Sequence, residues 1–283
     1  MSPGALLALT GASLFALSLI TARYSYDYGS EPQTVMFVRF LILASMMVLW
    51  RMRSGALTSI PRRDAVICSL LGVSYFIGIG SYLLSVAFLP VSLAVIIFYT
   101  FPILVALGAA LNARRWPGLR EISALLLAFS GLFIVLDVKL DDVQPVGILF
   151  AVTAALGVCV NMLGGGYILR RVPTTVFSFY QSTSVLILSA IALLFSGGLA
   201  LPEAGPGMLA FGVMLIAFII AFFSVYNAIR LTGPVRTATI MNLEPVMTVG
   251  FAIWLLGEQP GFDHLIGGLV VLAGVLLAQS RTK

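Results

Sequence analysis

The chain has 283 residues, 60% of them hydrophobic and 10% charged, with a mean hydropathy of +1.08. A soluble domain carries about 25% charged residues, so the composition excludes a water-soluble globular protein and specifies an integral membrane protein. The net charge of +5 marks no nucleic-acid surface, because the basic residues fall in short clusters between apolar runs, as the positive-inside rule arranges them.

Ten apolar stretches follow in chain order, each near the roughly 20 residues that cross a bilayer as a helix. The first is 4–22; its flank lacks a basic n-region, so it reads as a retained span and not as a signal peptide. The second, 33–50, carries Phe37 and Arg39. The third, 65–86, brings Tyr75, Gly78 and Tyr82 to one helical face, and the fourth, 91–111, holds Phe98, Tyr99 and Pro102 near its middle. The fifth is 119–136. The sixth, 145–165, carries Asn161 and runs into Gly164, Gly165 and Gly166, where close helix approach is expected. The seventh, 174–196, offers Phe179, Tyr180 and Gln181, and the eighth, 207–229, offers Tyr226 and Asn227. The ninth, 235–256, contains Asn242, Glu244 and Pro245, and the tenth is 261–279. Runs such as "LLALTGASLFALSLI" do not alternate polar with apolar residues, which excludes barrel strands and leaves helices.

With the N-terminus in the cytoplasm, thirteen of the 16 basic residues fall on cytoplasmic segments; Arg23 and Lys139 fall outside and Arg39 lies within a span. This bias predicts an even number of spans and a multi-pass protein of the cell membrane, in a bacterium the inner membrane, with both termini cytoplasmic.

The chain repeats itself. Tyr82 precedes Pro90 as Tyr226 precedes Pro234, by eight residues; Pro102 precedes Pro117 as Pro245 precedes Pro260, by fifteen; Gly131 and Gly274 follow at a common interval. More weakly, Gly4, Ala8, Thr10 and Ala12 match Gly147, Ala151, Thr153 and Ala155, while Pro32 and Val35 match Pro173 and Val176. Residues 1–139 and 145–283 are the two expected repeats. Each holds five spans, an odd number, so the second enters the membrane from the opposite side. The expected fold is an all-α integral membrane protein of ten transmembrane helices in two inverted five-helix repeats, the architecture of secondary transporters.

Helix-interrupting residues at matching places in two repeats point to a transport site between them. Pro102 and Pro245 each lack an N–H and crowd the carbonyl four residues earlier, at Phe98 and Met241. They are candidate hinges; static kinks are the other reading. Glu244, aligned with Phe101, is the first candidate for contact with a small-molecule substrate, since a carboxylate at mid-bilayer normally faces a wet cavity or a partner. A glutamate that plugs the gap beside Pro245 is the alternative. Arg39 either pairs with Glu244 or snorkels to the surface. Asn242, Tyr99, Phe98, Tyr82, Tyr226, Asn227, Phe37 and Tyr180 complete the candidate substrate-binding set, against the reading that each is a packing residue. No cofactor, metal or nucleic acid is expected. Cys68 and Cys159 sit in apolar runs without metal-ligand spacing, His264 is the single histidine, and Asp141 and Asp142 have no second acidic motif. These absences argue against a membrane enzyme.

The stretches "NLEPVMTVGFAIWLLGEQPG", "FYTFPILVALGAAL" and "FVRFLI" resemble, respectively, the second-repeat signature, its first-repeat partner and the second-span arginine motif of the EamA family, in the drug/metabolite transporter superfamily. The resemblance covers essentially the whole chain. It departs at "NARRWPG", where the family often carries an acidic residue like Glu258 of "LLGEQPG". It implies export of small metabolites, often amino acids, or of drugs. The aromatic amino acid exporters are the expected subgroup, because an aromatic-lined, weakly charged path suits their substrates. Glu244 allows protons as a coupling ion; a facilitative carrier is the close rival and a channel the more distant one.

Overall fold

The computed structural model describes residues 2–54, 60–114, 116, 118–136, 143–203, 205–256 and 261–279. Arg115, Pro117, Lys139, Asp141, Asp142, Glu258, Pro260, Arg281 and Lys283 lie outside the described residues. Those described form helices and no strand: α1 (Pro3–Tyr26), α2 (Pro32–Ser54), α3 (Arg62–Ser85), α4 (Val91–Phe98), α5 (Phe101–Ala113), α6 (Leu119–Val135), α7 (Pro145–Ile168), α8 (Thr174–Phe195), α9 (Pro206–Thr232), α10 (Pro234–Met241), α11 (Leu243–Leu256) and α12 (Phe262–Gln279).

These helices make the ten expected spans, because α4 with α5 and α10 with α11 are each one span broken in two. Eight spans are long and apolar enough to cross a membrane by length and composition, counting Val91–Ala113 and Pro234–Leu255 as single spans. The other two, α6 and α12, have 17 and 18 residues. At about 1.5 Å per residue they still approach the thickness of a hydrocarbon core.

Prolines set most of the starts. Pro3, Pro145, Pro206 and Pro234 stand in the first turns of α1, α7, α9 and α10, and Pro61, Pro90 and Pro173 immediately precede α3, α4 and α8. A proline there loses no intrahelical bond and presets φ. Ser2 caps α1 by accepting from Ala5 N at 3.2 Å, and Glu121 reaches back to the Gly118 N–H at 3.2 Å to cap α6.

The repeats interlace. α1 packs along α9, and its repeat mate α7 packs along α3. α1 also lies against α10 and α11, as α7 lies against α4 and α5, while α2 meets α8 and α6 meets α12 across the pseudo-two-fold axis. The α6–α12 crossing is reciprocal. A Cβ on Gly131 would meet Val271 N at 2.6 Å, and one on Gly274 would meet Ala128 N at 2.6 Å. Lipid offers no hydrophobic drive for helices to associate, so such close backbone approach supplies the van der Waals contact that holds them. Small residues do the same elsewhere: Ala8 and Ala12 of α1 and their mates Ala151 and Ala155 of α7 are fully buried. Large apolar side chains such as Leu194, Phe195 and Trp254 point outward, as a lipid-facing surface requires.

The symmetry is imperfect in one respect. α3 runs close along α8 backbone to backbone, whereas the backbones of the mate pair, α9 and α2, stay farther apart and meet through side chains.

Candidate functional site

The two broken spans have the same design. α4 and α10 are each eight residues long and each stops just before a proline-bearing continuation. In the first repeat, Thr100 N donates to Ile97 O at 3.1 Å, a tightened turn, and Pro102 occupies the first turn of α5. In the second, Asn242 N donates to Thr239 O at 3.3 Å, and Pro245 occupies the first turn of α11. Thr100 and Asn242 both keep right-handed helical dihedrals. Each span is therefore pinched into a short 3₁₀-like turn and not unwound into a loop. The expected interruptions lie where the proline spacing put them.

The breaks set the side chains around them. Glu244 falls in the first turn of α11, where the helix dipole favours a negative charge. The residue is half-buried. Tyr99, which ends α4, is the hydrogen-bonding neighbour of the carboxylate and belongs to the opposite repeat. Tyr82, Phe98 and Phe101 extend the aromatic wall from Tyr99: Tyr82 lies 4.9 Å from Phe98, Phe98 5.3 Å from Tyr99, and Phe101 5.6 Å from Tyr99, between ring centroids. Tyr82 and Tyr75 are also within electrostatic reach of Glu244. Asn242 is buried at the break with its Oδ1 unpartnered.

Arg39 follows neither sequence expectation. It neither snorkels outward nor forms a contact pair with Glu244. Its Nη2 donates to Ser18 Oγ at 2.8 Å and Ser18 O at 3.3 Å, its Nε approaches Met214 Sδ at 2.9 Å, and its guanidinium lies 4.9 Å from the centre of the Phe218 ring. Ser18 Oγ in turn donates to Met214 O at 3.0 Å. Arg39 thus ties α2 to α1 and α9 through neutral groups, and its charge acts on Glu244 from a distance.

The remaining candidates divide. Tyr226, the repeat mate of Tyr82, is buried in a polar chain: it accepts from Gln181 Nε2 at 2.6 Å and donates to Asn161 Oδ1 at 2.7 Å. Asn227 accepts from Thr174 Oγ1 at 3.0 Å and donates to Phe223 O at 2.8 Å, which ties the start of α8 to α9. Tyr180 stacks edge-on with Phe179 at 5.2 Å, and Arg51 lies over that Phe179 ring at 5.1 Å. Phe37 is half-buried two residues before Arg39, so about 200° around α2 from it. Gly78 packs on α7, where an added Cβ would meet Val158 N at 3.2 Å. Of the expected set, Glu244, Tyr99, Phe98, Tyr82 and Asn242 gather at the breaks.

Sequence reasoning missed Ser18, Met214, Phe40, Phe101 and Phe218. Phe40 is fully buried, and its ring lies 5.6 Å from Tyr75 and 5.4 Å from Phe218. One signal was available: the register that lays Gly4 on Gly147 lays Ser18 on Asn161, a polar residue already noted.

Comparison with known proteins agrees with this architecture. The sequence model of the EamA-like transporter family matches residues 2–137 and again 145–279. An uncharacterized transporter of Archaeoglobus fulgidus is 22% identical over 262 residues, covering 89% of each chain. The uncharacterized transporter YcbK of Bacillus subtilis is 22% identical over 279 residues, covering 93% of this chain and 88% of its own. A crystal structure, 19% identical, superposes with a TM-score of 0.82 over 98% of both chains, which establishes the common fold.

Proposed function

The chain belongs to the EamA-like transporter family, and from that premise we propose that it exports small amine-bearing metabolites, amino acids foremost, by alternating access around a central site. The two repeats, 1–139 and 145–283, are the moving units, the termini are cytoplasmic and the membrane is the bacterial inner membrane. Protons are the candidate coupling ion.

One observation carries this reading: Glu244 is half-buried within a span, beside two matched helix breaks and the aromatic cluster of Tyr82, Phe98 and Tyr99. The carboxylate accepts from a substrate ammonium group, Tyr99 orients it, and Tyr82, Phe98 and Phe101 pack an apolar or aromatic side chain. Arg39, held by neutral groups, keeps a positive charge that favours a substrate carboxylate at the other end of the site. Two opposite charges held apart match a zwitterion, which favours an amino acid over a purely cationic drug.

The test is uptake and counterflow by purified protein in liposomes, with a panel of amino acids and cationic drugs, with and without a pH gradient. Saturable counterflow of an amino acid supports the reading. Saturable transport of cationic drugs alone would replace it with multidrug export. Non-saturable flux without counterflow would replace it with a channel.

A further inference from the structure

Two polar interlocks stand at opposite ends of the bundle, and the repeat relates them. One is a directed chain of hydrogen bonds: Gln181 Nε2 donates to Tyr226 Oη at 2.6 Å, Tyr226 Oη to Asn161 Oδ1 at 2.7 Å, and Asn161 Nδ2 to Leu71 O at 2.7 Å. It joins α8, α9, α7 and α3. The other runs from Arg39 to Ser18 Oγ at 2.8 Å and from Ser18 Oγ to Met214 O at 3.0 Å, joining α2, α1 and α9. The register of the first spans lays Ser18 on Asn161, and that of the second lays Arg39 and Phe40 on Tyr180 and Gln181. The register of the third lays Leu71 on Leu215, one residue from Met214. Each interlock thus bonds the first helix of one repeat to a main-chain carbonyl in the third helix of the other. Each also sits about 10 Å from its own end of the bundle, seven residues into α8 or α2 at about 1.5 Å per residue. Glu244 lies between them.

The two ends are not in the same state. At the end bearing Arg62, Arg63, Arg170 and Arg171, α3 and α8 are pressed together: a Cβ on Gly72 would meet Gln181 O at 2.6 Å. At the other end the backbones of the mate pair, α9 and α2, stay farther apart and meet only through side chains, Arg39 on Met214 and Val38 near Phe211. Arg171 and Asp64 also pair at 3.2 Å at the basic end, but the arginine is 43% exposed, and such a pair holds little in water. The buried chain is the stronger tie, because breaking it strands polar groups in a low-dielectric interior. It is also incomplete. Gln181 Oε1 and Ser178 Oγ, one turn apart on α8, are buried there without partners.

We propose that Gln181, Tyr226 and Asn161 are gating residues: their chain to Leu71 O is the bolt that holds the basic end of the transport path shut. This rests on the alternating-access reading above. Opening the path to that side requires the bolt to break, and because the repeats move together, the opposite end then closes.

The experiment needs no substrate. Cys68, fully buried one turn before Leu71, is the reporter for the bolted end once Cys159→Ala removes the other thiol. Val38→Cys, in a chain carrying Cys68→Ala and Cys159→Ala, reports the opposite end, where Val38 packs near Phe211 and Met214. A membrane-impermeant maleimide is added from each side of oriented vesicles in turn. Tyr226→Phe, which removes one hydroxyl and keeps the ring, should raise labelling of Cys68 from the basic side at least tenfold and slow labelling at the Val38 position from the other. Gln181→Leu should do the same. Unchanged labelling at both reporters, or faster labelling at both, overturns the bolt, the second outcome marking a loosened structure. Gly72→Ala, a steric wedge at the same contact, separates the two readings. If it moves the reporters in opposite senses and Tyr226→Phe does not, alternating access stands and the bolt fails. If neither substitution produces opposite changes, alternating access itself fails.

Discussion

Tyr99 and Glu244 come from opposite repeats and meet, the phenol at the end of α4 beside the carboxylate in the first turn of α11. Each stands at its own span's break, so one contact registers the relative position of both breaks. A motion that bends α4–α5 against α10–α11 must stretch or remake it.

Glu244→Gln keeps the shape and an acceptor but removes the charge. A hydrogen bond to a charged group is worth about 1.5–3 kcal/mol, and about 1.4 kcal/mol is tenfold in affinity. The concentration for half-maximal counterflow should therefore rise roughly 10- to 100-fold. If the residue also carries the coupling proton, pH-driven uptake is lost while substrate-for-substrate exchange survives. A folded variant that matches the parent in both assays removes Glu244 from function.

Tyr99→Phe leaves the aromatic wall and removes the donor. The loss of one hydrogen bond to a carboxylate, about 1.5 kcal/mol at the low end, should weaken apparent affinity roughly tenfold. In the double variant with Glu244→Gln the added effect should be small, because the two side chains act on each other. Fully additive losses in the concentration dependence of counterflow would place the two residues in separate roles.

Pro102→Ala and Pro245→Ala restore the N–H that Phe98 O and Met241 O lack and let each span run on as one helix. Thermal unfolding in detergent should show equal or higher stability, and turnover should fall severalfold. Unchanged turnover in both variants and in their combination would leave the prolines as static kinks.

Arg39→Lys keeps the charge but not the planar fork that reaches Ser18 and lies over Phe218. It should lower the unfolding temperature of the purified protein by several degrees, and Arg39→Met by at least as much. An unchanged midpoint in both would mean that the brace adds nothing to stability.

A cysteine placed at Glu203, which lies between α8 and α9 beside Tyr28, should react with an impermeant reagent from outside intact cells. One placed at Arg53, at the end of α2, should react only from the cytoplasm. The reverse pattern would invert the proposed orientation.

The sequence exposed what depends on chain order. Span positions follow from runs of apolar residues, and the breaks before Pro102 and Pro245 follow from covalent geometry, since proline lacks the N–H a helix needs. Partnership between helices was hidden. Nothing local to Arg39 says that its acceptors are Ser18 and a methionine sulfur on α9, because both are neutral residues distant in sequence. The repeat also misled at one point. Tyr82 and Tyr226 occupy equivalent places, yet one packs on Phe98 at the break and the other is locked between Gln181 and Asn161. Equivalence in the duplication fixes backbone position, while neighbours that have diverged decide what a side chain does.

The packing of α1 along α9, and of α3 along α7, governs how the chain is made. α1 ends at Tyr26 and α9 begins at Pro206, so α1 waits for its partner while the whole of the chain between them is translated. Until α9 is made, the small-residue face of α1 that carries Ala8 and Ala12 lacks the helix it packs along. Two half-chains made separately would have to find each other before either could mature.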